Sequence, residues 1–199
     1  MRIFIDINHP SYFHFFRQFI IKARDKGQEL LITARERNYI HDLFKAYGIS
    51  YKPKTRSSKS LIGKFFNLIK ETSYLYRKIK AFHPEIILSF ASPYAAIAGK
   101  LAGKKVITFE DTEPDPLVHI LFTPFSDLII TPACYGKSFG KKHLRFKGYK
   151  ESAYMEPSVT PGNILDEMGI NKHSPLTLIR FVSHHATHDL GEEGLSAQQ

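Results

Sequence analysis

At 199 residues, 43% apolar and 24% charged, the chain is long enough for one domain and part of another and apolar enough to bury a core, which excludes a disordered or fibrous class. Its single cysteine, Cys134, excludes an internal disulfide and fits a reducing compartment, and no apolar run reaches the roughly 18 residues that a membrane-spanning helix needs. The net charge of +9 is concentrated, because residues 52–80 hold nine Lys or Arg against one acid, Glu71, and residues 137–150 hold six against none.

The first predicted element is a buried strand over 2–7, followed by the polar turn Asn8-His9-Pro10-Ser11 and an aromatic helix over 11–25. In an open α/β sheet such a turn lies at the carboxyl edge of the strand, where ligands bind, so Asn8, His9 and His14 are candidate site residues. The turn has no G-x-G-x-x-G pattern and is not expected to cradle a dinucleotide pyrophosphate. His9 suits a general base or hydrogen-bond donor, since imidazole titrates near neutrality. Capping or packing is the alternative for both histidines.

Further strands are predicted at 29–33, 49–52, 86–89, 105–109 and 127–131, and helices at 37–47, 60–82, 93–102 and 115–122. Gly27, Gly48 and Gly103 each follow a helical pattern, where a left-handed C-cap is expected. Strands alternating with helices argue for a parallel sheet, with the order 3-2-1-4-5-6 taken by analogy with the dinucleotide-binding fold. The helix over 60–82 sets Leu61, Phe65, Phe66, Ile69, Leu75 and Ile79 on one broad face, with Lys64, Lys70, Arg77 and Lys78 opposite. Such a helix either packs on the sheet or lies on an anionic membrane.

Two loops at predicted carboxyl edges carry further candidates. Ser92, in Ser89-Phe90-Ala91-Ser92-Pro93-Tyr94, either meets substrate or caps the next helix. The fifth strand runs into Glu110-Asp111-Thr112-Glu113-Pro114-Asp115, four acids within six positions. Carboxylates there can take a proton from an attacking hydroxyl or bind sugar hydroxyls, which makes Asp111 and Glu113 catalytic candidates and Glu110 a substrate-binding one. Acids also favour helix starts, and Pro114 points to one.

After residue 155 the texture changes. Met155 to Gly162 reads as a linker, 162–168 as a short helix, and Leu176 to Ser183 as a strand leading into His184-His185-Ala186-Thr187-His188-Asp189. His185, His188 and Asp189 are substrate-binding candidates, and no metal site is expected because no third protein ligand accompanies the histidines. The predicted organisation is a Rossmann-like domain over 1–155, a linker and short helix over 156–174, and the truncated start of a second α/β domain over 175–199.

Taken in order, Ile5-Asp6-Ile7-Asn8-His9-Pro10 with His14, Leu31-Ile32-Thr33-Ala34-Arg35, Ser92-Pro93-Tyr94-Ala95-Ala96, Asp111-Thr112-Glu113, Ile129-Ile130-Thr131-Pro132, Gly148-Tyr149-Lys150-Glu151 and Arg180-Phe181-Val182-Ser183 with His188-Asp189 resemble domain-of-unknown-function family 354. Members of that family look like two-domain GT-B glycosyltransferases and like the non-hydrolysing sugar-nucleotide 2-epimerases. Here Pro114-Asp115 follows Asp-Thr-Glu where the family has a histidine, and His184-His185 stands where it has a bulkier aromatic and an acid.

The resemblance implies a GT-B amino-terminal, acceptor-side domain. The activity it implies is sugar transfer from a nucleotide sugar to a glycan or lipid-linked acceptor in polysaccharide biosynthesis. The nucleotide sugar is a substrate, and no cofactor is expected. In the 2-epimerases a glutamate after a strand of the first domain and a histidine at the opening of the second serve the site, and Glu110, Asp111 and Glu113 with His185 or His188 hold comparable places. Epimerisation is therefore the alternative, as is a non-catalytic acceptor-binding half that needs a donor-binding partner chain. The chain alone is expected to be inactive, its donor-binding half being absent. A cytoplasmic location follows, with peripheral contact to the anionic inner face of the membrane through 52–80. Nucleic acid is not an expected partner, since no recognition helix or aromatic RNA motif is present.

Overall fold

The computed structural model describes residues 1–36, 39–54, 61–155, 164–171, 175–177 and 179. The chain divides into two units, Met1–Tyr154 and Met155–Gln199. In the second unit a helix spans Ile164–Glu167. Leu176, Thr177 and Ile179 are not in a strand, and the rest of the predicted strand and the whole His184–Asp189 loop, with His185, His188 and Asp189, lie outside the described residues.

The first unit is one parallel sheet of seven strands: β1 Arg2–Ile7, β2 Glu29–Arg35, β3 Lys52–Lys54, β4 Ile86–Phe90, β5 Lys105–Phe109, β6 Leu128–Pro132 and β7 His143–Phe146. The order is β3-β2-β1-β4-β5-β6-β7, the predicted one with β7 added at the far edge. The helices are α1 Pro10–Asp25, α2 Ile40–Ala46, α3 Leu61–Phe82, α4 Pro93–Leu101 and α5 Pro116–Phe122.

The strands alternate and so build two cores. Ile3, Ile5 and Ile7 of β1 pack with Phe13, Phe16, Ile20 and Phe44 of α1 and α2. Phe4 points the other way, into a cluster with Leu75 and Ile79 of α3, Ala95, Ala96 and Ala98 of α4, and Val106 and Ile129. The small residues of α4 let its backbone approach the sheet. At Gly99 an added Cβ would stand 2.6 Å from Ile87 Cδ1 and 2.6 Å from Val106 Cγ2.

Gly27, Gly48 and Gly103 adopt φ of +69°, +59° and +69°, as a left-handed C-cap requires. The second of these corrects the predicted strand at 49–52. Gly48 N–H donates to Lys45 O and Ile49 N–H to Phe44 O, so Ile49 closes α2 and packs beneath it. The strand begins only at Lys52. The fifth predicted helix also starts later, because Asp115 is its N-cap and accepts from Val118 N–H at 3.3 Å. α3 departs from a single continuous apolar face. Leu75 and Ile79 are buried, whereas Phe66 and Ile69 are exposed.

Candidate functional site

The strand order reverses between β1 and β4, and their carboxyl ends flank the crevice where open α/β sheets hold ligands. Asp6 sits there on the same face as Phe4, fully buried. A carboxylate in that place needs matching charge and donors. Lys54 Nζ lies 2.5 Å from Asp6 Oδ1, while Thr33 Oγ1 and Ser92 Oγ each donate at 2.7 Å. Burial would push the Asp6 carboxyl up, but the Lys54 charge and these hydrogen bonds outweigh it and hold the group below the usual aspartate range.

The network continues outward. Lys54 Nζ also meets Glu71 Oε1 at 2.9 Å and donates to Asn8 Oδ1 at 2.7 Å. Arg35 grips both Glu71 oxygens, at 2.7 and 3.0 Å, and its guanidinium stands over the Tyr94 ring. Asn8 Nδ2 returns to Asp6 Oδ2 at 3.0 Å. The Asn8 side chain is therefore held at both ends, which fixes the start of the β1–α1 turn. Ser92 is the N-cap of α4 and also a fully buried donor to Asp6.

His9 is the N-cap of α1. Its Nδ1 accepts from Ser11 N–H at 3.2 Å and lies 2.8 Å from Ser11 Oγ, and its ring stands 5.7 Å from Tyr12. Tyr12 stacks on Phe90 at 4.3 Å. The Lys150 ammonium stands 5.9 Å from the centre of the Tyr12 ring and 5.7 Å from that of Phe90, and pairs with Asp111 Oδ2 at 2.7 Å. His9 and Asp111 thus flank one aromatic and ammonium cluster at the carboxyl ends of β1, β4 and β5. Behind it, Phe15, Phe90, Phe109 and Lys150 close a recess too narrow for water. His14 lies beside it, with its ring 5.7 Å from Tyr154, and burial followed by the Arg17 charge pulls its imidazole below the usual histidine range.

Glu110 is buried under this edge. Its Oε1 accepts from the backbone N–H of Asp111 at 2.8 Å and of Thr112 at 2.5 Å, which folds the acidic loop around it. Burial, together with the Asp111 and Asp115 charges, pushes its carboxyl up to about 7 against the pull of those two N–H groups. His119 Nε2–H donates to Thr112 O at 3.0 Å, with Tyr135 Oη 3.2 Å away. Glu113 turns elsewhere, its Oε1 accepting from Gly136 N–H at 3.0 Å while Lys137 Nζ donates to its carbonyl. Asn8, His9, Ser92, Glu110 and Asp111 therefore gather along the carboxyl edges of β1, β4 and β5, whereas the Glu113 side chain faces the connection between β6 and β7.

The local pattern did not reveal Lys54, Glu71, Arg35 or Lys150. Two signals pointed their way: an aspartate inside an otherwise apolar strand, and a lone acid within a basic helix. No cluster of His, Cys, Asp and Glu suited to a metal ion occurs among the described residues.

A model of the family described as "Protein of unknown function (DUF354)" matches residues 1–180. No curated protein matches the chain. Among solved structures, a UDP-N-acetylglucosamine 2-epimerase from Rickettsia bellii superimposes with a TM-score of 0.66 at 14% identity, covering 86% of this chain and 52% of that one. The UDP-GlcNAc 2-epimerase from Neisseria meningitidis, bound to UDP-GlcNAc, gives 0.60 at 14%, covering 78% and 48%. MurG from Acinetobacter baumannii gives 0.57 at 11%, covering 74% and 46%. The likeness is one of fold: a Rossmann-like α/β unit of the GT-B type. The chain spans about half the length of the structures it matches.

Proposed function

The chain belongs to the DUF354 family, and on that premise we propose that it forms the acceptor-side half of a GT-B-like glycosyltransferase. Sugar passes from a nucleotide sugar to a hydroxyl of a glycan or lipid-linked acceptor. The observation that carries this reading is the meeting of His9, Tyr12, Lys150 and Asp111 at the mouth of the switch-point crevice. Asp111 or His9 takes the acceptor proton, Glu110 shapes the loop that presents Asp111, and Asn8 and Ser92 set the walls. His14, beside these groups, is assigned to acceptor binding. The donor binds a second half of the enzyme, and turnover needs both halves.

Among the described residues no helix is long and apolar enough to cross a membrane. We place the protein on the cytoplasmic side, where anionic lipid attracts basic segments such as 52–80, and where the free thiol of Cys134 is at home. The test is transfer by the protein joined to its donor-binding half. Asp111→Asn lowers turnover by about 100-fold or more if Asp111 is the base, and undiminished turnover rejects that role.

Glu110 favours 2-epimerisation as a second reading: at the carboxyl edge of β5, beside Asp111, burial pushes its carboxyl up to about 7, which suits a group that removes and returns a proton near neutral pH. Incubation with UDP-GlcNAc in heavy water separates the two. Deuterium at the second carbon of the sugar supports epimerisation, and transfer without it supports the first reading.

A further inference from the structure

We propose that the pocket between the edge strand β3 and α3 is a binding site for a phosphate group. The pocket has about 120 Å³ of free space and is lined by Pro53, Lys54, Lys70, Glu71, Tyr74 and Arg77. At roughly 30 Å³ per water that is room for about four waters, enough for one phosphate.

Its charges point to such a ligand. Glu71 is the only acid in the wall among the described residues, and Lys54 and Arg35 already neutralise it. Lys54 in turn is saturated, with its three donors directed at Asp6, Glu71 and Asn8. The inner wall is therefore balanced and offers a ligand nothing. Lys70 and Arg77 differ. Both are exposed at the rim, and among the described residues neither pairs with a carboxylate. They stand seven residues apart on α3, two turns along one face, with Tyr74 between them. Lys78 sits over the Tyr74 ring at 5.5 Å and adds to the positive field. Two uncompensated cations match the double charge of a phosphate monoester better than the single charge of a carboxylate.

The geometry also excludes a strand as occupant. Pro53 has no N–H to offer, and the Tyr74 hydroxyl donates to its carbonyl at 3.1 Å, so the middle of β3 cannot pair outward. The pocket touches neither His9 nor Asp111, and the proposal does not rest on sugar transfer.

The phosphate comes from a soluble ester or from a lipid headgroup, and two arms separate them. The whole chain is titrated calorimetrically with glycerol 3-phosphate and sedimented with phosphatidylcholine vesicles containing phosphatidic acid, both at physiological salt. The paired variant Lys70→Gln/Arg77→Gln changes only exposed side chains and should stay folded. It is expected to weaken binding at least tenfold in whichever arm the wild type binds. Lys26→Gln/Lys45→Gln removes the same charge from exposed sites at the end of α1 and on α2 and should stay within twofold. Asp111→Asn should bind as the wild type does. Loss with glycerol 3-phosphate supports a soluble ester, and loss with vesicles alone supports a headgroup. Equal loss in both paired variants would show diffuse attraction and overturn the site, as would no binding to either probe at millimolar concentration.

Discussion

Glu110 is buried with one oxygen accepting two backbone N–H groups, and its carboxyl titrates near 7 against 4.5 for the unperturbed group. The folded state therefore holds a proton that the unfolded chain gives up above about pH 4.5. Stability from this group is complete at acid pH, falls as pH rises toward 7, and is lowered by on the order of 3 kcal/mol above that. Glu110→Gln keeps an acceptor for both N–H groups without the charge. It is expected to stabilise the chain by about 1–3 kcal/mol at pH 8, with the gain vanishing near pH 4, as urea unfolding at the two pH values will read. Lys54 poses the opposite case. Lys54→Met strands the Asp6 carboxylate in the interior and leaves Glu71 to Arg35 alone, at a cost of about 3–5 kcal/mol in the same measurement. The sequence marked Glu110 and Asp111 because acids crowded one loop. It could not mark Lys54, whose partners lie 48 and 17 residues away along the chain and meet it only once the sheet has formed.

At the scale of elements, much was legible because local rules and the fold agree. Apolar runs between helical periods place five of the seven strands, and glycine after a helical pattern places three left-handed caps. The third strand was misplaced because Ile49 is apolar for a reason other than pairing, namely closure of α2. β7 escapes a sequence reading because His143-Leu144-Arg145-Phe146 is only four residues, half-exposed to exposed, inside a basic stretch, too short for its alternation to stand out. α4 carries a test of packing. Gly99→Ala drives a methyl into Ile87 and Val106 and is expected to cost about 1–3 kcal/mol, read as a lower urea midpoint with unchanged slope.

At the scale of the molecule, one parallel sheet with two apolar faces accounts for the position of the site. Helices leave β1 and β4 toward opposite faces, and the polar turns between strand and helix are left along one rim. The fold class was readable from alternation alone, whereas the chemistry along the rim depends on side chains brought together from five strands and three helices. The Asp111→Asn and heavy-water experiments belong to this scale, since they interrogate the chain only when joined to a donor-binding half.

An outer strand of three residues, such as β3, would ordinarily fray, because so few pairings restrain it. Here its last residue reaches past β2 to Asp6 on β1, so peeling the margin away strips a buried carboxylate of its counter-charge. The sheet's outermost strand is thereby tied to the strand two places in, and through Asn8 to the turn that carries His9.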